Sequence, residues 1–214
     1  MTKIDLIAFD FDGTLVQSGQ DLVDAVNHTL QILNVPTLDT YTVKRFIGDG
    51  VKKLIERSLG DAGERDSEKA REIFLAYYEA HLLDTTVLYP GVKDILNYFK
   101  AIHKIILTNK MEYLTLKIAR GLGIEGYFEE IVGIDSRSYT KPDRRLLMPY
   151  LKRSLQVGGR AVVIGDGVND IMLAKNAGVL SCALLNGLTD RNELLNLSPH
   201  YCCENIEELQ HLFY

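Results

Sequence analysis

Ile4-Asp5-Leu6-Ile7-Ala8-Phe9-Asp10-Phe11-Asp12-Gly13-Thr14 is the stretch that decides the fold. Ile4 to Phe9 is a short, mostly apolar run that ends abruptly in acids and glycine. Such a run, bounded by turn residues, reads as a strand buried on both faces. Four later runs have the same form: Lys104-Ile-Ile-Leu-Thr108, Ile131-Val-Gly-Ile-Asp135, Ala161-Val-Val-Ile-Gly-Asp166, and Val179 to Leu185. Between them lie helical patterns: Val92, Ile95, Leu96 and Phe99; Leu114, Ile118, Ala119 and Leu122; and Ile171, Met172, Ala174 and Ala177 after a capping Asn169-Asp170. Alternating strands and helices predict an α/β fold, a Rossmann-like parallel sheet core with helices on both faces.

One block breaks the alternation. From about Val16 to His81 no strand is predicted. Leu22, Val26, Leu30 and Leu33 line one helix face. Val51, Leu54, Ile55, Ser58 and Leu59 line a second. Ala70, Ile73, Phe74 and Tyr77 line a third. The block reads as an inserted helical domain over residues 16–83, set within a core of residues 1–15 and 84–214. The charged stretch Asp61 to Arg71 is expected to face solvent, and Tyr77, Tyr78 and Phe74 are read as packing. Pro149, within the pattern Arg144 to Leu155, requires a kink or a late helix start.

Composition sets outer limits. The chain has 214 residues, 46% apolar and 25% charged, with a net charge of −5. That is a soluble globular composition with enough length for a sizeable core. The acidic balance argues against a nucleic-acid partner. No run of about 18 apolar residues predicts a membrane span, and no secretory leader is read at the start. Cys182, Cys202 and Cys203 are odd in number and unspaced, so they read as structural thiols in a reducing cytoplasm. The histidines all lie outside the motifs described next.

Four features fall at strand ends or in the loops between elements: Asp10-x-Asp12-Gly13-Thr14, Thr108-Asn109, Lys141-Pro142, and Gly165-Asp166-x-x-x-Asp170. In an open parallel sheet the carboxyl ends of the strands share one edge, where ligands bind. Asp10, Asp12, Asp166 and Asp170 would then gather four carboxylates, which repel one another unless a cation neutralises them. An all-oxygen set suits Mg2+ better than zinc. Lys141 and the Thr108 hydroxyl can donate to phosphate oxygens. Asp10 can attack phosphorus as a carboxylate nucleophile, and Asp12 can serve the leaving oxygen as general acid and then base. Each feature alone is weak. Asp-Gly is a common turn, and Asn169 or Asp170 alone would only cap a helix. Their joint occurrence, in this order, carries the reading.

At these residues the sequence resembles the haloacid dehalogenase superfamily, over nearly the whole chain. The helical insert, Leu88-Tyr89-Pro90-Gly91-Val92 and Thr108-Asn109-Lys110 resemble the phosphoglycolate phosphatase-like subgroup. The resemblance implies Asp10 as nucleophile and metal ligand, and Asp12 as acid/base with its backbone carbonyl on the metal. It implies Asp166 as a direct ligand, Asp170 as support, Thr108 and Lys141 on the phosphoryl group, and Asn109 on the phosphate or orienting its loop. The insert becomes a cap that closes over the site and selects the leaving group. The turn Gly48-Asp49-Gly50 is flanked by Lys44, Arg45, Lys52, Lys53 and Arg57, and Arg45 and Arg57 are the expected substrate contacts. The implied substrate is a small phosphorylated metabolite, with 2-phosphoglycolate leading. Pyrophosphate, nucleoside monophosphates and sugar phosphates are the alternatives. A phosphomutase of the same fold is the second expectation, disfavoured by Thr14. A non-enzymatic phosphate-binding protein is the third. Gly165-Asp166-Gly167 departs from the Gly-Asp-Ser or Gly-Asp-Thr usual in the subgroup.

Overall fold

The computed structural model describes residues 1–60, 63–154 and 160–214. After β1 (Leu6–Phe9) come a two-residue strand β2 (Val16–Gln17) and the helices α1 (Gly19–Ile32), α2 (Thr40–Lys44), α3 (Val51–Leu59) and α4 (Gly63–Ala80). The chain returns through β3 (Val87–Leu88) and then alternates through α5 (Val92–Tyr98), β4 (His103–Leu107), α6 (Glu112–Gly121), β5 (Glu130–Val132), α7 (Met148–Ser154), β6 (Ala161–Gly165), α8 (Val168–Ala177), β7 (Leu180–Leu184), α9 (Arg191–Asn196), β8 (Tyr201–Cys203) and α10 (Leu209–Leu212).

Six strands form one sheet in the order β5-β4-β1-β6-β7-β8, and every pairing is parallel. β1 lies between β4 and β6, with Phe9 beside Ile106 on one side and Ile164 on the other. The two-residue side-chain period explains why these strands are apolar throughout. Ile7 and Phe9 enter one core cluster with Ile106, Val162 and Ile164. Leu6 and Ala8 enter the other with Ile105, Leu107 and Val163.

The helical block packs through the stripes its periodicity dictates. α1 buries Leu22, Val26 and Leu30, and α3 buries Leu54, Ile55 and Leu59. On α4 the buried line is Ala70, Phe74 and Tyr78, a strict four-residue step that places Tyr78 inward in place of Tyr77. The two connections between block and sheet pair with each other: β2 and β3 form an antiparallel ribbon, Val16 opposite Leu88 and Gln17 opposite Val87. Asp21 of α1, 2% exposed, clamps this joint. Its carboxylate accepts the amides of Thr85 (2.9 Å) and Thr86 (3.0 Å) and both their hydroxyls.

Some local expectations change. β5 stops at Val132; the next residue, Gly133, lies against the start of α6, where a Cβ would sit 2.2 Å from the Glu112 amide nitrogen. β8 carries a strand the sequence does not announce. Arg144–Leu146 form a 3-10 turn and α7 starts at Met148, so Pro149 falls in a first turn, where its missing N–H costs nothing. Leu155 and part of Asp61 to Arg71 lie outside the described residues. Cys182 and Cys203 are buried with Sγ atoms 3.7 Å apart, whereas Cys202 is exposed; all three are free. Among the described residues no helix is long and apolar enough to cross a membrane.

Candidate active site

Three neighbouring strands end in candidate site residues: β1 in Asp10, β4 in Thr108 and β6 in Asp166. Asp170 joins them from the first turn of α8, where its Oδ2 accepts the Gly167 amide at 3.0 Å. Carboxylate oxygens of Asp10, Asp166 and Asp170 all lie within 4.8 Å of one another. Lys141 enters from the loop before the Arg144 turn. Its Nζ stands 2.7 Å from Asp10 Oδ1 and 2.6 Å from Asp170 Oδ1.

Asp166 is locked in place. Its Oδ1 accepts the Thr14 hydroxyl (2.7 Å) and its Oδ2 accepts the Leu188 amide (2.7 Å), while its own amide donates to Thr14 Oγ1 (3.1 Å). The backbone presses against it from two sides. A Cβ on Gly13 would fall 2.1 Å from Asp166 Oδ2, and one on Gly187 would fall 2.2 Å from Asp166 Cβ. Gly13 also has φ +82°, so the close approach and the left-handed turn both demand glycine.

Burial and then the charge of Asp10 push the Asp166 carboxyl up to about 7. The same two causes raise Asp170 well above the usual carboxylate range. Burial alone would lower the Lys141 ammonium, but Asp10 and Asp170 outweigh it and hold it above the ordinary lysine value. Asp12 points away from this cluster. Lys110 Nζ donates to its two oxygens at 3.1 and 3.2 Å, and the Ser18 hydroxyl donates to Oδ1. Four carboxylates thus face two ammonium groups, Lys141 and Lys110. The formal balance of −2 is what one divalent cation neutralises, and the donors are all carboxylate oxygens. Asp10, Asp166 and Asp170 therefore fit a divalent metal ion.

The cavity above these groups has a polar floor and an apolar roof. Asp10, Asp12, Thr108, Asn109, Lys110 and Asp166 line the floor; Leu22, Ile47, Val51, Leu54, Phe74 and Tyr78 of the helical block line the roof. Thr108 Oγ1 accepts the Lys110 amide (3.1 Å), which leaves its hydroxyl hydrogen free to donate. Asn109 is spoken for by backbone. Its Oδ1 accepts the Lys141 amide (3.1 Å), and its Nδ2 donates to Gly48 O (3.0 Å) and Lys141 O (3.5 Å). Of the two expectations for Asn109, this geometry favours orienting the loop over touching phosphate. Asn169 Nδ2 reaches Asp49 Oδ1 (2.7 Å) and Gly48 O (3.3 Å), pinning the same turn.

The two arginines expected to contact substrate do not line this cavity. Arg57 is tied to Asp49 and to the Phe46 carbonyl (3.2 Å), and Arg45 lies over the Tyr41 ring at 5.8 Å beside a separate surface groove. Sequence reading placed both by nearness to the Gly48 turn, but side-chain direction on the short flanking helices turns them away. It also passed over Lys110 and Tyr78. The Tyr78 hydroxyl bonds Lys110 Nζ at 2.6 Å, and burial pushes that phenol up to about 12. The one available signal was Lys110 following directly on Thr108-Asn109.

Comparison with known proteins finds relatives over nearly the whole chain. The family model for haloacid dehalogenase-like hydrolases matches residues 7–184. A phosphoglycolate phosphatase of Colwellia psychrerythraea is 37% identical across 96% of this chain and 95% of its own length. One of Chromobacterium violaceum is 35% identical across 91% and 90%. A crystal structure of a predicted phosphoglycolate phosphatase from Haemophilus somnus superposes with a TM-score of 0.91 at 27% identity, covering 99% of each chain.

Proposed function

The chain belongs to the haloacid dehalogenase-like hydrolases, and on that premise we propose that it is a magnesium-dependent phosphatase whose preferred substrate is 2-phosphoglycolate. The observation that carries this is the meeting of Asp10, Asp166 and Asp170 within 4.8 Å around the Lys141 ammonium. The names of the relatives support the choice of ester.

In this reading Asp10, Asp166 and Asp170 hold Mg2+, which when bound supplies charge neutralisation for the carboxylates and for the phosphoryl oxygens. Lys141 and the Thr108 hydroxyl bind and orient the phosphoryl group. The Asp10 carboxylate attacks phosphorus, the bond from phosphorus to the ester oxygen breaks, and Asp12, which enters this step protonated when the ester is bound, gives that oxygen its proton. Glycolate leaves and an aspartyl phosphate remains on Asp10. Asp12, now a carboxylate, takes a proton from water whose oxygen attacks the same phosphorus. The bond from phosphorus to the Asp10 oxygen breaks, inorganic phosphate departs and both aspartates are restored. Asn109 acts through the Lys141 backbone as a positioning residue.

Residues 16–83 act as a cap over a core of residues 1–15 and 84–214, hinged at the β2–β3 ribbon, and its apolar side chains keep bulk water from the aspartyl phosphate. That apolar roof also favours a small leaving group over a sugar or nucleoside, whose hydroxyls would find few partners there. A small charged metabolite and three free thiols suit a reducing cytoplasm. The test is phosphate release from 2-phosphoglycolate with Mg2+ and with chelator. Release is expected only with the metal, and Asp10→Asn abolishes it. Near-normal release by Asp10→Asn would end the mechanism.

A further inference from the structure

The leaving group must have its own counter-charge, and the cavity offers little choice. Among the described residues that line it, Lys110 is the one lysine or arginine. Its side chain is 6% exposed and is held from two sides: from the core by Asp12, at 3.1 and 3.2 Å, and from the helical block by the Tyr78 hydroxyl, at 2.6 Å. An ammonium carries three N–H donors, and these partners make it a fixed point charge within a mostly apolar enclosure. Burial alone would lower its affinity for a proton, but Asp12 and Tyr78 outweigh that, so the site stays cationic.

Position then selects the chemistry. Asp12 is the group that serves the ester oxygen, and Lys110 lies within one hydrogen bond of Asp12. A negative group on the carbon next to the ester oxygen would therefore arrive at Lys110. A negative group further along the chain would meet Leu22, Ile47, Val51, Leu54 and Phe74 instead. Arg45 and Arg57, the other cations proposed for this task, stand outside the cavity.

We propose that Lys110, anchored by Tyr78, reads the carboxylate of the substrate and restricts it to phosphate esters of 2-hydroxy acids. This rests on the phosphatase reading and gives its specificity a physical origin. Because Lys110 comes from the core and Tyr78 from the block that closes over it, the reader is complete only when the two halves meet.

The test compares 2-phosphoglycolate with ethyl phosphate, which has the same length and lacks the carboxylate. Lys110 also touches Asp12, so substitution there slows both esters, and the ratio of the two kcat/KM values cancels that shared loss. Lys110→Met is expected to lower the preference for 2-phosphoglycolate about 100-fold, through the lost ion pair. Tyr78→Phe lowers it about threefold to tenfold by freeing the ammonium. A ratio in Lys110→Met within about threefold of the native protein overturns the proposal and leaves Lys110 as a partner of Asp12 alone. Lys110→Gln, which keeps an N–H donor without the charge, is the second variant should methionine unfold the chain, and the same collapse is expected. Calorimetric titration of both esters onto Asp10→Asn, with and without Lys110→Met, separates this inference from the phosphatase reading. Loss of carboxylate preference in binding upholds the role of Lys110 even where no hydrolysis is seen, and an unchanged preference overturns it.

Discussion

Replacing Gly13 with alanine is expected to damage stability and turnover together. A methyl at this position would lie 2.1 Å from Asp166 Oδ2, 2.6 Å from its Cγ and 2.7 Å from Oδ1. The carboxylate must then retreat by about 1 Å or more to reach ordinary van der Waals separation. It has nowhere to go without loss, because Thr14 and the Leu188 amide each hold it at 2.7 Å and Gly187 backs it on another side. Giving up one hydrogen bond to a charged group costs about 1.5–3 kcal/mol. A methyl-bearing residue at φ +82° costs about 1–2 kcal/mol more. The sum is about 2.5–5 kcal/mol, read by urea denaturation. A misplacement of about 1 Å in a reacting assembly lowers turnover about 100-fold, read by phosphate release. The metal supplies a third readout. Saturation at about 100 times its dissociation constant should stabilise the native chain by about 2.7 kcal/mol, and Gly13→Ala should lose most of that gain. Gly178→Ala is the control. Its φ is +69° but a Cβ there meets nothing within 4 Å, so it incurs the backbone cost alone. If Gly13→Ala behaves like Gly178→Ala in all three measurements, Asp166 is not wedged as described.

Two other substitutions probe how the helical block is held. Asn169→Ala removes the bonds to Asp49 Oδ1 (2.7 Å) and Gly48 O (3.3 Å), so the closing turn should loosen and KM should rise about tenfold with a smaller change in kcat; an unchanged KM would mean that the turn needs no tie to α8. Asp21→Ala strips the acceptor from two amides and two hydroxyls at the β2–β3 joint, a loss of about 3 kcal/mol in urea denaturation; a loss under about 1 kcal/mol would show that water replaces the carboxylate there.

What could be read from the sequence was whatever depended on local pattern and strand position. Asp10, Thr108 and Asp166 follow apolar runs that read as interior strands, and strand carboxyl ends share one sheet edge, so their convergence is expected from the pattern. Asp170 needed one further step, the helix start that carries it back over Gly167. Lys110 depended on Tyr78, which is 32 residues away and belongs to the inserted block, and no local pattern encodes that meeting. Arg57 failed for the converse reason. It is near the Gly48 turn in the chain, but Asp49 offered it a closer partner than the cavity did. β8 was missed because three residues, Tyr201–Cys203, are too few for periodicity to register. Its strand character comes from the exposed edge of β7.

Asn109 explains why Lys141 and the Gly48 turn belong to one mechanical unit. Its carboxamide accepts from the Lys141 amide and donates to the Gly48 carbonyl, so one planar group spans core and insert. Displacement of the Gly48 turn removes the shorter of the two bonds Asn109 Nδ2 donates, leaving the 3.5 Å contact to Lys141 O, and the amide can recover it only by rotating about a bond that also positions its oxygen against Lys141. A buried carboxamide with a single lost bond carries a cost of about 1–3 kcal/mol. That is enough to tie the backbone of Lys141 to the state of the turn. In the proposed mechanism, closure over a phosphate ester and placement of the Lys141 ammonium are then favoured by the same contact. In that mechanism water is excluded while the phosphoryl group lies between Asp10 and Asp12.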